Sequence, residues 1–457
     1  MTILSNALDL VKAIKKIGYD AYVVGGAVRD LLLDKTPTDI DIATNCPIGI
    51  LQIHFDTHFV GNSRKYETLV IVHNKIPYET TQFRIESDYD GVNPSTVEFV
   101  RTLEEDVKRR DFTVNSMAMD HAGKIYDYEG GEIDLKNRLI KAVGDPDQRF
   151  TEDFIRMVRA ARFAASDGFE IEKQTAESIR KHAHLIKKVK PERINIELTK
   201  AFKKSGKESA RFIELLDELF LLHQILPEVE ELKRYNHNPD HHPEGDTVFD
   251  HTIECLRIAD KMDYVDKLAI LLHDVGKPAS AKPKEDSPYP SYHDHASIGA
   301  DIAYDMLAKY RFSIDTMDAV VFAVLNHMKF HAILKMRPSK IMRLVNNPYF
   351  SVLKNVAWAD EFSRGEQFAY YRDFDDKLVR IDHIQSKWQE NVKNETFKLV
   401  DGTRIMNLLE ISPGPLVGTI KTTIEEYIID NSLVPNINVV DRLILDIGGD
   451  IKKGVLA

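Results

Sequence analysis

Only two cysteines, Cys46 and Cys255, occur in 457 residues, which excludes a disulfide framework and a cysteine-rich zinc site and predicts a reducing compartment. Long apolar runs are equally scarce. The longest, 319–325, falls far short of the roughly 20 residues that cross a bilayer. The N-terminal stretch spaces charges among its apolar residues as an amphipathic helix does and lacks the features of a signal peptide, so a cytoplasmic protein with no membrane segment is expected. Internal repeats and low-complexity tracts are absent, as are a Walker P-loop and a G-x-G-x-x-G fingerprint. Positive charge is in deficit: 61 Lys+Arg against 72 Asp+Glu leave a net charge of -11, the wrong sign for a polyanion binder taken as a whole. The deficit is uneven, because residues 179–207 carry ten basic and two acidic side chains. That stretch is at +8 and the remainder at -19, so a local polyanion site is compatible with the global value.

At 43% hydrophobic and 29% charged residues the chain is ordinary globular protein, long enough for about three domains. Residues 1–148 alternate β-rich runs (AYVVGG, ETLVIVH, STVEFV, KIYDY) with helical segments, predicting an α/β head. From about Glu152 apolar residues recur at helical spacing (Phe154, Ile155, Val158, Ala161, Phe163), and the remainder reads as helical. Two loop-like breaks interrupt it, NHNPDHHPEGD (236–246) and KPKEDSPYPS (282–291).

The segment YVVGGAVRDLLLDKTPTDIDIAT (22–44) carries the first chemistry. Gly25 and Gly26 after a β-run let backbone N–H groups approach a phosphate, and Arg29 supplies a fixed charge to it. In an extended strand Asp39 and Asp41 share a face, and two such carboxylates hold Mg²⁺ ions that activate an attacking hydroxyl and bridge a triphosphate. An isolated D-x-D is usually a solvated turn. Following GG-x-V-R-D by nine residues, it matches a polymerase-β-type nucleotidyltransferase. Glu79 is a candidate third carboxylate or, equally, a surface glutamate of an edge strand.

With KRRDFTVNSMAMD (108–120), YDYEGGEIDL (126–135), GDPDQRFTEDFIRMVRAARFAA (144–165) and PERINIEL (191–198), the chain resembles the class II tRNA nucleotidyltransferases, or CCA-adding enzymes, and the related bacterial poly(A) polymerases. The resemblance implies that Gly26, Arg29, Asp39, Asp41 and Arg110 bind the triphosphate and its metals, with Asp111 and Asn115 supporting the ribose or the loop. A helix through Asp153 and Arg156 would put both on one face, where an acceptor beside a donor pairs with cytosine or adenine and rejects uracil and guanine. Arg159 and Arg162 continue that face, and the family places such arginines on bound nucleotide. The alternative is a solvated helix braced by a Glu152–Arg156 pair. Residues 80–99 resemble the flexible loop of full CCA- and A-adding enzymes, although DGVNP lacks the arginine that many relatives carry before the proline. The basic stretch 179–207 offers a hold on RNA backbone independent of sequence.

His251, His273-Asp274 in LLHDVGKP, His295, His327 and Asp360 resemble the ligands of HD-domain metal-dependent phosphohydrolases, which implies a divalent transition metal of unassigned identity. His237, His241 and His242 precede them in an acidic loop. The C-terminal segment 401–429 has the apolar spacing of a packing helix pair (Ile405, Leu408, Leu409, Leu416, Ile420, Ile424).

The expected architecture is a polymerase-β-like α/β head (1–148), a helical neck that reads nucleotide and RNA (149–235), an HD domain (236–370) and a helical C-terminal body (371–457), predominantly α overall. The expected activity is template-independent addition of CCA to tRNA from CTP and ATP with Mg²⁺, with an added HD phosphohydrolase. The alternatives are a poly(A) polymerase or A-adding enzyme, and an HD phosphohydrolase with a nucleotide-sensing head.

Overall fold

The computed structural model describes residues 2–59, 68–238, 242–365, 370–393, 396–434 and 436–454. It divides into two units. The first is Met1–Lys233 with two later returns of the chain, Ala259–Tyr264 and Met306–Phe312; the second is Arg234–Ile258, Val265–Asp305 and Ser313–Ala457.

The first unit opens with the helix Ile3–Lys16, capped by Thr2 and burying Ala7, Leu10, Val11 and Ile14 along one stripe. Seven strands form the head sheet: β1 (Ala21–Val24), β2 (Asp41–Thr44), β3 (Asp56–His58), β4 (Thr68–His73), β5 (Ile76–Gln82), β8 (Ala118–Met119) and β9 (Ile125–Tyr126), in the order β3-β4-β5-β2-β1-β8-β9. Between β5 and β8, β6 (Arg84–Tyr89) and β7 (Pro94–Phe99) pair as a separate hairpin. The strand-like runs of the sequence correspond to β1, β4, β7 and β9. Strands β2 and β5 are parallel with Ile42 opposite Thr80, which sets Asp41 beside Glu79 at one end of the sheet.

Helices follow, among them Pro146–Glu152, Ile155–Ala165, Pro191–Phe202 and Gly206–Glu218. The two returns join this helical part by specific bonds. The Tyr310 hydroxyl donates to Ile225 O at 2.6 Å, Asn195 Nδ2 donates to Tyr310 O at 2.9 Å, and Gly206 N donates to Asp260 Oδ1 at 2.9 Å.

The second unit is helical except at 281–292. There the sequence reads as a loop because of its three prolines, yet Ala281–Lys284 and Ser287–Tyr292 pair as an antiparallel hairpin with an irregular register that accommodates Pro283. Toward the C-terminus, Gly402–Leu409 and Pro415–Asp430 form the expected helix pair, and Ile405, Leu409, Ile420 and Ile424 are fully or almost fully buried in its core. Leu408 packs at the edge of that core, while Leu416 is exposed. Among the described residues no helix is long and apolar enough to cross a membrane.

Candidate active sites

Strand β1 ends at Val24, opposite Asp41 at the start of β2, so the glycine turn and the carboxylate share one end of the sheet. Gly25 has φ 72°, a left-handed conformation that an L side chain rarely adopts. Next to this turn lies a cavity of about 420 Å³ lined by Gly25, Gly26, Arg29, Asp41, Arg110, Asp111, Asn115, Asp153, Arg156 and Arg159. Of the transferase residues singled out from the sequence, Asp39, Glu79 and Arg162 are outside its lining. Asp39 sits two residues before β2, and Arg162 is buried, with Nε donating to Glu197 Oε2 at 2.5 Å.

The cavity wall is preorganised. Arg29 Nη1 donates to Asn115 Oδ1 at 2.8 Å, Asn115 Nδ2 donates to Asp111 Oδ1 at 3.3 Å, and Arg159 Nη2 donates to Asp111 Oδ2 at 2.7 Å. Burial opposes ionisation of Asp111, but the Arg159 guanidinium outweighs it and holds the carboxyl below its usual range. Phe163 anchors three cations, with Arg29, Arg159 and Arg162 at 5.1, 5.2 and 4.1 Å from its ring centre. Phe163 read only as part of the apolar helical spacing, and Arg193 and Glu197 were not read as site residues; the fold brings them in from the helices Ile155–Ala165 and Pro191–Phe202.

Asp41 is open to solvent by surface area. Even so, desolvation by the cleft and repulsion from Asp39 and Glu79 raise its pKa to about 6. Neither Asp39 nor Asp41 has a hydrogen-bond donor or salt-bridge partner among the described residues. Crowded carboxylates without a cation are the donor set that Mg²⁺ satisfies.

Asp153 and Arg156 both reach the cavity, but not as neighbours on one helix. The helix Pro146–Glu152 stops, Asp153 is extended at φ -143° and ψ 104°, and a second helix starts at Ile155. The break has a cause in the β6–β7 hairpin: Phe154 N donates to Gly91 O at 3.0 Å, and a Cβ on Gly91 would lie 2.1 Å from the Phe154 ring. Arg193 grips Asp153 through both guanidinium nitrogens, at 2.9 and 2.7 Å, and also donates to Val92 O at 3.3 Å. Arg156 donates to Glu152, Arg149 O and Arg109 O at 2.7, 3.1 and 3.0 Å. The Glu152–Arg156 pair is therefore present, as a buried brace and not as a solvated one. Of the ten basic residues in 179–207, all but Arg193 are exposed.

In the second unit, three histidines converge on Asp274. Each commits Nδ1 to a backbone carbonyl at 2.7 Å: His273 to Ile270 O, His295 to Tyr292 O and His327 to Val324 O. A carbonyl only accepts, so Nδ1 carries the proton and the Nε2 lone pair faces inward. His295 Nε2 and His327 Nε2 lie 3.0 Å apart and 3.6 and 3.9 Å from Asp274 Oδ1. His273 Nε2 is buried and has no hydrogen-bond partner. Burial, reinforced by His273, lowers the pKa of His327 to about 3. Neutral imidazoles facing each other across a buried carboxylate fit a divalent transition metal.

His251 lies between two carboxylates, its Nε2 4.0 Å from Asp274 and 3.3 Å from Asp360. Asp360 is engaged away from Asp274, by His331 at 2.8 Å and Arg364 at 3.0 Å. The acidic loop contributes more than its composition suggests: Glu244 accepts from His251 at 2.5 Å and His242 at 3.0 Å, and His237 stacks on His242. His241 lies outside the described residues.

Gly276, three residues after His273, fixes the spacing of this cluster. A Cβ there would lie 2.0 Å from His295 O and 2.5 Å from Gly299 N. Gly276→Ala is therefore expected to push the His295 helix outward, to cost about 1–3 kcal/mol, and to weaken Mn²⁺ binding measured by calorimetry. Unchanged affinity would show that the close approach does not position His295.

Residues 21–141 match the family model described as the poly A polymerase head domain, 168–233 the probable RNA and SrmB-binding site of polymerase A, and 248–365 the HD domain. The chain carries a poly(A) polymerase head domain and an HD domain. The CCA-adding enzyme of Geobacillus sp. (strain WCH70) is 43% identical over 239 residues, 50% of this chain and 58% of that protein. The CCA-adding enzyme of Streptococcus uberis is 47% identical over 199 residues, 43% of this chain and 49% of that one. The chain thus spans about half the length of the relatives it matches. The crystal structure of the Bacillus stearothermophilus CCA-adding enzyme in complex with CTP shares the fold, with a TM-score of 0.70 at 24% identity over 99% of this chain and 100% of that one. A CCA-adding enzyme solved with ATP gives 0.61 at 17% identity, over 99% and 95%.

Proposed function

We propose that this chain adds C, C and A to the 3′ end of tRNA from CTP and ATP. The observation that carries the reading is one cavity holding the Gly25–Gly26 turn, five arginines besides Arg156, Asp41 and the Asp153–Arg156 pair. In the reaction, the terminal 3′-hydroxyl oxygen bonds to the α-phosphorus, the bond to the β-phosphate breaks, pyrophosphate leaves and the hydroxyl proton passes to water. Mg²⁺ held by Asp39 and Asp41 supplies Lewis-acid activation and charge neutralisation when bound. The Gly25 N–H is taken by Met117 O at 3.2 Å, so the turn brings the Gly26 N–H to the phosphates, and Arg29 and Arg110 fix them by charge. Asp111, locked by Arg159, keeps Asn115 aimed at Arg29.

Arg193 and the Ile155 amide use three of the four lone-pair positions of the Asp153 carboxylate, which leaves one on Oδ2 for an exocyclic amino group. Arg156 keeps an Nη2 N–H for the neighbouring ring nitrogen. Cytosine and adenine satisfy that pair. The exposed basic side chains of 179–207 hold the RNA backbone. Buried free thiols at Cys46 and Cys255 suit the reducing cytoplasm.

Purified protein would be incubated with tRNAs ending before the first C, before the second C and before the A, each with labelled CTP or ATP. Extension of all three is expected, whereas A-only or repeated A incorporation would replace this reading by A addition or poly(A) synthesis. Asp153→Ala is expected to lower discrimination against UTP and GTP by about 10- to 100-fold, the worth of one charge-assisted hydrogen bond. Unchanged nucleotide choice in competition assays would remove Asp153 from base recognition.

The convergent Nε2 atoms around Asp274 support a second activity, metal-dependent hydrolysis of a phosphoester. His273, Asp274, His295 and His327 hold the metal, and Lys277, 2.6 Å from Asp274, keeps that carboxylate ionised.

A further inference from the structure

The wall of the nucleotide cavity contains a chain of hydrogen bonds with a guanidinium at each end. Arg29 donates to Asn115, Asn115 to Asp111, and Arg159 reaches the other oxygen of Asp111 through Nε at 2.9 Å and Nη2 at 2.7 Å. Both ends lie over one ring, that of Phe163, which itself lines the cavity. Phe163 thus closes the chain into a loop. Three separate segments build that loop: the helix Gly26–Leu32 supplies Arg29, residues 111–115 supply the aspartate and asparagine, and the helix Ile155–Ala165 supplies Arg159 and Phe163.

The ring is itself held in place. Phe112 is fully buried and meets Phe163 edge-on, with centroids 5.9 Å apart and planes at 77°. Arg162, 4.1 Å from the ring centre, is tied back by Glu197 and stays out of the cavity lining. What the hydrogen bonds leave unset is tilt. Asp30, at 3.0 and 2.7 Å, and Asn115, at 2.8 Å, grip the edge of the Arg29 guanidinium, and Asp111 grips the edge of Arg159. An edge contact lets the guanidinium plane rock about it, whereas an aromatic face against that plane does not. Three like charges within 5.2 Å of one point also repel one another, and the negative face of the ring offsets part of that repulsion.

We propose that Phe163 is a positioning residue for triphosphate binding. Its ring sets the tilt of Arg29 toward the phosphates, and through Arg159 it steadies the Asp111–Asn115 pair that aims the same guanidinium. Phe163 touches no phosphate in this role and reads no base. Phosphate affinity therefore depends on the electron density of the ring as well as on its volume. The dependence is the same for CTP and ATP, because both present the same triphosphate to Arg29.

This assignment rests on the nucleotidyl-transfer reading, and the test separates the two. The full chain would carry mono-, di- or trifluorinated phenylalanine at position 163, which withdraws charge from the ring face while nearly preserving its shape, alongside Phe163→Tyr and Phe163→Leu. KM for CTP and for ATP is expected to rise stepwise with fluorination, by about tenfold over the series, and at least as far in Phe163→Leu. The inhibition constant of inorganic pyrophosphate should rise in the same proportion, while kcat and the KM for tRNA stay within about twofold of wild type. Phe163→Tyr, which keeps the ring, should match wild type. A KM for CTP unchanged along the fluorinated series overturns the assignment. So does a rise confined to one nucleotide, or one that spares pyrophosphate, because either would place the ring on the base. A wild-type protein that neither binds CTP nor extends tRNA overturns the transfer reading itself, and this assignment with it.

Discussion

Asp41→Asn is expected to reduce nucleotide transfer by roughly 10³-fold or more while making the metal-free protein more stable at neutral pH. The first effect is the loss of several kcal/mol of charge stabilisation when a carboxylate that holds Mg²⁺ becomes an amide. The second comes from the environment that makes the site useful. Asp41 is crowded by Asp39 and Glu79 in a desolvated cleft, and its pKa rises to about 6 from an ordinary 3.8. An acid whose folded pKa is raised contributes no penalty below its unfolded value, because both states are protonated there. The penalty grows as pH climbs from about 4 through about 6 and is complete above that. The Asp41 side chain is open to solvent, so screening reduces the cost to the order of 1 kcal/mol, about 2 °C in midpoint. Thermal unfolding in chelator should show wild type and Asp41→Asn coinciding near pH 4 and separating by pH 7, with the variant higher. Added Mg²⁺ should stabilise wild type and leave the variant unmoved. Retained transfer, or a variant less stable at pH 7, would remove Asp41 from the metal site.

Asp274→Asn should produce the opposite stability change and leave transfer intact. Asp274 is 2% exposed and is the common neighbour of Lys277 at 2.6 Å, His273 at 3.2 Å and His295 at 3.6 Å. Burial opposes its ionisation, but the adjacent Lys277 ammonium helps to hold it well below the usual carboxylate range. Neutralising it leaves the Lys277 ammonium buried beside an amide, a loss of about 3–5 kcal/mol for a broken internal pair. It also removes the one carboxylate on which the inward Nε2 atoms converge. Divalent transition metal should raise the unfolding temperature of wild type but not of the variant, and metal-dependent hydrolysis of a model phosphodiester should fall to background. CCA addition should persist in both. Undiminished hydrolysis in Asp274→Asn would move the metal site elsewhere.

The two centres differ in how far the sequence discloses them. Asp41 and the glycine turn were legible because β1 and β2 are neighbours joined by one short helix, and their pairing sets Val24 opposite Asp41. The inward histidines were legible as types. The proton arrangement that makes them ligands was not, since it depends on each ring turning to the backbone carbonyl three residues before it. Arg193 was invisible as the partner of Asp153, because the two are 40 residues apart across several helices and a strand, and no spacing rule says where the chain returns. The helix break at Asp153 was missed for a related reason: local propensity favours one continuous helix through TEDFIRMVRAARF, and the contact that interrupts it comes from Gly91, in another strand pair. Glu244 was concealed by its setting, where a loop rich in proline, glycine and charge reads as solvated although its glutamate holds two imidazoles.

The two late returns of the chain to the first unit, 259–264 and 306–312, set a limit on dissection. A fragment cut at Lys233 would keep every residue proposed for nucleotide transfer. It would lose the aspartate that receives the Gly206 amide and the tyrosine that spans Ile225 and Asn195. The amputated half would be expected to bind CTP poorly for want of a settled scaffold, and its failure would be mistaken for dependence on the HD centre. In this chain the two chemistries can be told apart by single substitutions; scissors would confound them.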